Sequence, residues 1–96
     1  MHPNIAEQDS LLLFTLYAFR IHANSMMVEV KKVWDVIAVE TNTFRGYPHF
    51  YDGLTRLRLA NVLHIRYTKN RTYLTLTPHG LELAGAAYNE RMRFGD

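Results

Sequence analysis

The spacing of apolar positions changes repeatedly along this chain, and each change marks an element. From Leu11 to Ile21 they are nearly continuous: Leu11, Leu12, Leu13, Phe14, Leu16, Tyr17, Phe19 and Ile21. A helix apolar all round is buried on most sides. The run therefore predicts a helix from Asp9 or Ser10, either of which can cap it through a side-chain oxygen, to about His22. It should lie at the centre of a small core or at a subunit interface, with Asn24 and Ser25 ending it. Val30, Val33, Trp34 and Ile37 then fall at i, i+3, i+4 and i+7. This is the stripe of an amphipathic helix over roughly Val28 to Val39, with Trp34 on its buried side. The β-branched content makes Met26–Val30 readable as a strand instead.

Residues 40–48, ETNTFRGYP, are punctuated by Thr, Asn, Gly and Pro and read as a loop. A third helix should begin near Pro48, since proline is tolerated in a first turn. Phe50, Leu54, Leu57 and Ala60 make its buried side. Gly53 inside it costs about 1 kcal/mol relative to alanine, and Asn61 supplies a left-handed stop. Beyond that the period drops to two. Ile65–Thr68 and Thr72–Leu76 flank Lys69-Asn70-Arg71, which predicts a hairpin. Ile65 and Tyr67 share one strand face, as do Leu74 and Leu76, and these faces should cover the helices. Thr77 followed by Pro78 is a strong helix start. The last helix buries Leu81, Leu83, Ala84, Ala87 and Tyr88 and runs to about Arg93. Residues 1–9 read as a flexible arm and residues 10–96 as a single α+β, mostly α domain.

Composition narrows the classes. Ninety-six residues suffice for one domain. Twelve aromatics and 48% hydrophobic residues argue against disorder. With no cysteine, neither a disulfide framework nor a thiolate zinc site can form, and a cytoplasmic protein is expected. The nine-residue run Leu11–Phe19 is far short of the ~20 residues that span a bilayer. Net charge is only +2, but it is unevenly spread. Within residues 41–77, Arg45, Arg56, Arg58, Arg66, Lys69 and Arg71 face Asp52 alone, a local balance of +5, while the rest of the chain carries −3. A concentrated basic module is the electrostatic footprint of a phosphate-binding surface, although an ordinary solvated face would look similar.

The element order, three helices, a hairpin and a fourth helix, resembles the winged helix-turn-helix. Two segments carry the resemblance in detail. Leu57-Arg58-Leu59-Ala60-Asn61-Val62-Leu63 is similar to the "LxxLGLI" ending of that family's recognition helix, with Asn61 where glycine is usual. Leu76-Thr77-Pro78-His79-Gly80-Leu81-Glu82-Leu83 resembles the "LTPKGREL" after the wing, with His79 in place of lysine. The phrasing is similar to that of MarR-like and PadR-like regulators. The loop before helix three is longer than the usual short turn, and Gly53 is unusual inside a recognition helix.

The resemblance implies double-stranded DNA as partner and a homodimer, with helix three in the major groove. Tyr51, Thr55 and Arg58 lie opposite the buried side of helix three, with Asp52, and Arg56 lies at the margin. Arg can pair with guanine and Thr can meet a thymine methyl or a phosphate. Arg66, Lys69 and Arg71 cluster at the hairpin tip, where they would meet phosphates or merely protect a strand edge. Tyr47, His49 and Arg45 precede helix three and could touch the DNA backbone, although Tyr47 and Phe50 simply packing the loop is the favoured reading. Leu59 and Val62 tend outward, which favours an alternative function as a protein-interaction module. The five histidines show no ligand spacing, and no nucleophile elbow, phosphate loop or carboxylate pair occurs. No metal, cofactor or catalysis is therefore expected. The surplus apolar surface of helix one, together with residues 81–94, would supply a dimer interface.

Overall fold

The computed structural model describes residues 7–23, 27–40 and 44–94. Its elements are α1 (Glu7–Ala23), β1 (Met27–Glu29), α2 (Val30–Glu40), α3 (Tyr47–Leu59), β2 (Leu63–Tyr67), β3 (Thr72–Leu76) and α4 (Pro78–Phe94). The expected order of helices and hairpin is present, with one added strand. The sheet is three-stranded and antiparallel, in the order β1-β3-β2. Met27–Glu29 is a strand and α2 begins only at Val30, because β3 offers a free edge for it. Val28 sits opposite Leu74, and Leu74 opposite Ile65. Leu74 is thus flanked on both sides and fully buried. The expected segment 1–9 divides: Glu7, Gln8 and Asp9 are helical, while residues 1–6 lie outside the described residues, as do Asn24 and Ser25.

The core explains where α1 goes. Leu11, Leu12, Leu13 and Leu16 are buried, and the opposite side is covered by α4. There Phe14 stacks on Tyr88 at 5.3 Å between ring centroids, and Tyr17 meets the same ring at 5.3 Å. A second aromatic group centres on the fully buried Phe50, which lies 5.1 Å from Trp34, 5.8 Å from Phe44 and 5.7 Å from Tyr47. Phe50 thereby fastens α2 and the preceding loop to α3. Trp34 packs against α3 as its stripe position implies, but it is only half-buried, with Tyr47 meeting it edge-on.

Asp9 does not cap α1. It lies within the helix, 3% exposed, and its carboxylate takes two hydrogen bonds of 2.8 Å from Nε and Nη2 of Arg56 on α3. Gly53 is what lets the two helices approach here. A Cβ at that position would stand 2.9 Å from both Asp9 Oδ1 and Leu12 Cδ1. The glycine that looks costly in a helix is a contact requirement.

The end of α3 is built from a tight set of backbone bonds. Asn61 adopts φ 62°, the left-handed stop that its position predicts. Its N–H donates to the Arg58 carbonyl at 3.0 Å, and the Val62 N–H donates to the Leu57 carbonyl at 2.9 Å. This is the Schellman arrangement. It turns Val62 inward, 1% exposed, correcting the outward orientation expected of it. Ala60, expected on the buried side, is exposed because the helix has ended. Thr77 then joins this corner to α4. Its hydroxyl shares its proton between the carbonyls of Asn61 (2.8 Å) and Val62 (3.1 Å) and accepts from the Gly80 N–H at 2.9 Å. Gly80 lies directly on the Val62 carbonyl, where no Cβ fits.

The two glycines should therefore respond differently to alanine. Gly80→Ala meets rigid backbone and should cost about 3 kcal/mol of overpacking. Gly53→Ala meets side-chain ends that can yield. A strain of roughly 2 kcal/mol is offset by about 1 kcal/mol of helix propensity, leaving a net loss near 1. Urea unfolding of both variants measures the difference, and equal destabilisation would contradict this account.

Candidate nucleic-acid interface

The outward side of α3 carries Tyr51, Thr55 and Arg58 at i, i+4 and i+7 on one stripe, as the sequence predicts. Arg58 is exposed and has no ion-pair partner among the described residues. Thr55 is half-buried, and its hydroxyl donates to the Tyr51 carbonyl at 3.2 Å. Arg56 belongs to a different arrangement. Its guanidinium is bound by Asp9, and that hydrogen bond above all, with further support from the charges of Asp9 and Asp52, raises its pKa beyond the ordinary arginine value. The structure uses Arg56 to tie α1 to α3.

The hairpin separates its charges. Arg66 stands on β2 in one cross-strand row with Tyr73 and Glu29. Lys69 is at the tip, where the Thr68 N–H donates to the Arg71 carbonyl at 2.8 Å and the Arg71 N–H donates to Thr68 Oγ1 at 3.2 Å. Arg71 reaches back to Glu29 at 3.5 Å, so the added strand β1 holds it. Arg66 and Lys69 have no such partner among the described residues. Before α3, the Arg45 N–H donates to His49 Nδ1 at 3.1 Å, and Phe44 meets the His49 ring at 5.4 Å. His49 thus packs the loop, while Tyr47 packs on Trp34 and Phe50.

Helix and hairpin are brought together by a residue that carries no sequence signal of function. Tyr67 ends β2 on the face turned toward α3, and its hydroxyl lies 3.1 Å from that of Tyr51. The only available hint is period two, which puts Tyr67 with Ile65 on the helix-facing side. The Tyr51 phenol is pushed up to about 12. The hydrogen bond with Tyr67 is the largest cause, followed by partial burial and by the neighbouring phenols of Tyr67 and Tyr47, while Arg58 acts in the opposite sense. Among exposed apolar residues, Leu59 at the end of α3 is 73% exposed, and Val36 and Val39 lie on the outer side of α2. Among the described residues, no group of histidine and carboxylate side chains is placed to hold a metal ion, and no helix is long and apolar enough to cross a membrane.

Three helices, a hairpin on a three-stranded sheet and a fourth helix define a winged-helix fold. Solved structures share it, two of them over nearly the whole of this chain. F-93 of SSV1 superposes with a TM-score of 0.73 at 15% identity, covering 98% of this chain and 92% of that one. A single-residue mutant of MepR, from a multidrug-resistant S. aureus clinical isolate, gives 0.70 at 17% identity. That match covers 96% of this chain but only 61% of MepR. No family model matches the chain, and no curated protein matches it in sequence.

The tyrosine pair has a pH signature. The native state holds the Tyr51 proton above the ordinary phenol value of 10.0. Its contribution to stability is therefore complete below pH 10 and is lost as pH rises toward 12. Absorbance titration at alkaline pH should show a late-ionising phenol that disappears in Tyr51→Phe and moves toward 10 in Tyr67→Phe. An unchanged profile in Tyr67→Phe would mean that the hydroxyl contact is not formed.

Proposed function

We propose that this chain is a transcriptional regulator that binds double-stranded DNA in the cytoplasm. In this reading α3 enters the major groove and presents Tyr51, Thr55 and Arg58, while Arg66 and Lys69 of the wing lie on flanking phosphates and Arg71 is held back by Glu29. The observation that carries it is the Tyr51–Tyr67 contact, which sets the stripe of α3 beside the wing. A groove-width helix next to a cationic hairpin is the geometry by which winged helices divide base and backbone contacts. The fold shared with F-93 of SSV1 and with MepR supports the reading. Arg56 is left out of the contact set because Asp9 holds its guanidinium by the Nε–Nη2 edge and fixes it against α1.

Such a protein reads a two-fold site as a homodimer. The interface we assign is α1 with residues 81–94. Ile21 of α1 and Met92 of α4 are exposed, on the two helices that carry the Phe14, Tyr17 and Tyr88 rings. Sedimentation should give a dimer at micromolar concentration, and a monomer at high micromolar concentration would remove this part. A second reading rests on Leu59, which with Val36 and Val39 fits a protein-docking surface better than a groove.

Fluorescence anisotropy against mixed duplex at two salt concentrations tests the main reading. Arg58→Ala should cost about 1–3 kcal/mol and relax preference at one base pair. Lys69→Ala should weaken all sequences alike and reduce the salt slope by about one. If both variants bind every duplex as the wild type does, the docking reading takes precedence, and Leu59→Asp should then abolish association with the protein partner.

A further inference from the structure

Winged helices hold a hairpin beside a helix, and here the two are joined by a pair of hydroxyl groups open to solvent. Tyr51 and Tyr67 approach to 3.1 Å, and either oxygen can be the donor. Whichever donates, one proton of the pair is consumed and the other is not. The hydroxyl that keeps its proton is also the one accepting a hydrogen bond, and that polarisation makes it a better donor outward. Among the described residues no acceptor takes this proton.

The surroundings select the sign of the missing acceptor. Arg58 stands two turns along the same stripe and acts electrostatically on Tyr51. The other charged or ionisable groups acting on Tyr51 are Tyr67 and Tyr47, and no carboxylate is among them. Asp52, next in sequence, acts on Arg56 instead. The gap between α3 and the end of β2 next to the wing tip thus holds a spare polarised donor and the nearby Arg58 charge, with no carboxylate acting on Tyr51 among the described residues. Tyr67 is well exposed and Tyr51 half-buried. In water, such a contact between exposed hydroxyls contributes little. It becomes strong only when a charged acceptor covers it and excludes solvent.

We propose that the Tyr51 and Tyr67 hydroxyls form a seat for one backbone phosphate of the bound duplex, so that a single phosphate locks the wing against α3. The proposal rests on the DNA-binding reading and goes beyond it by assigning Tyr67 a role and by distinguishing this hydroxyl contact from those of the cationic side chains at the adjoining tip. The Arg58 guanidinium remains directed at a base edge, and its charge favours the phosphate nearby. The raised phenol pKa of Tyr51 agrees with this, since that hydroxyl resists ionisation and keeps its proton across the neutral range.

The experiment uses a duplex selected by the wild-type protein from a random pool, with single methylphosphonate substitutions introduced along each strand. One neutralised position per bound protomer should weaken wild-type binding about 5- to 20-fold, the scale of a charge-assisted hydrogen bond. Tyr67→Phe and Tyr51→Phe should weaken binding to the unmodified duplex by a similar factor and lose the penalty at that one position. The double variant should bind no worse than the weaker single one, because the pair acts as a unit. The salt slope should stay at the wild-type value, since no cation is removed, and a cooperative thermal transition shows that the phenylalanine variants are folded. The seat is overturned if the variants bind as the wild type does. It is also overturned if they keep the full methylphosphonate pattern, or if their loss follows a base substitution. A wild type that selects no duplex overturns the DNA-binding reading and the seat with it; binding with any of the preceding results overturns the seat alone.

Discussion

One carbonyl oxygen, that of Val62, fixes the relation between the third helix, the wing and the fourth helix. It accepts from the Thr77 N–H at 3.1 Å and from the Thr77 hydroxyl at 3.1 Å, and Gly80 closes over it. A buried carbonyl must be paired, and here the pairing fastens three elements at once. Asn61, at φ 62°, turns the chain so that this oxygen faces inward. The same threonine satisfies the Gly80 N–H at the start of α4, a donor that would otherwise be orphaned. The "TPxG" phrase is therefore a structural device, in which each residue type has a separate steric or hydrogen-bonding reason.

A second constraint sets the depth at which α3 lies. It is fastened at its N-terminal half by Phe50 in the aromatic group and at its middle by the Asp9–Arg56 pair over Gly53. The pair is asymmetric, with Asp9 buried and Arg56 46% exposed at its side chain. A carboxylate taken out of water needs its partner more than a half-solvated guanidinium does. With Arg56 occupied on that flank, the free outward stripe of α3 narrows to Tyr51, Thr55 and Arg58. The wing then completes the surface from the other side through Tyr67.

Much of this was legible in the sequence because the relevant signals are local. The periodicity of α2, the left-handed stop at Asn61, the hairpin and the Thr77-Pro78 start all depend on residues within one or two turns of each other. The same holds for the outward positions of Tyr51, Thr55 and Arg58, which follow from counting along one helix. The expected outward turn of Val62 failed because the Schellman corner rotates the chain immediately after the helix, and a count that continues the helical period past Asn61 points the wrong way.

What the sequence by itself determined was the order of the elements, the buried face of α2 and α3, and the concentration of basic charge in the third helix and wing. What only the tertiary structure decided was which of those charges remain free. Arg56 is taken by Asp9, 47 residues away along the chain, and Arg71 by Glu29 on a strand that forms only because β3 offers it an edge. The hydroxyl pair of Tyr51 and Tyr67 likewise spans two elements. Periodicity reports which side of an element faces inward, because that depends on neighbours a few residues away. Pairing between side chains depends on how whole elements dock, and docking is set by Gly53, Gly80 and the Val62 carbonyl, whose effects appear only when the chain is folded.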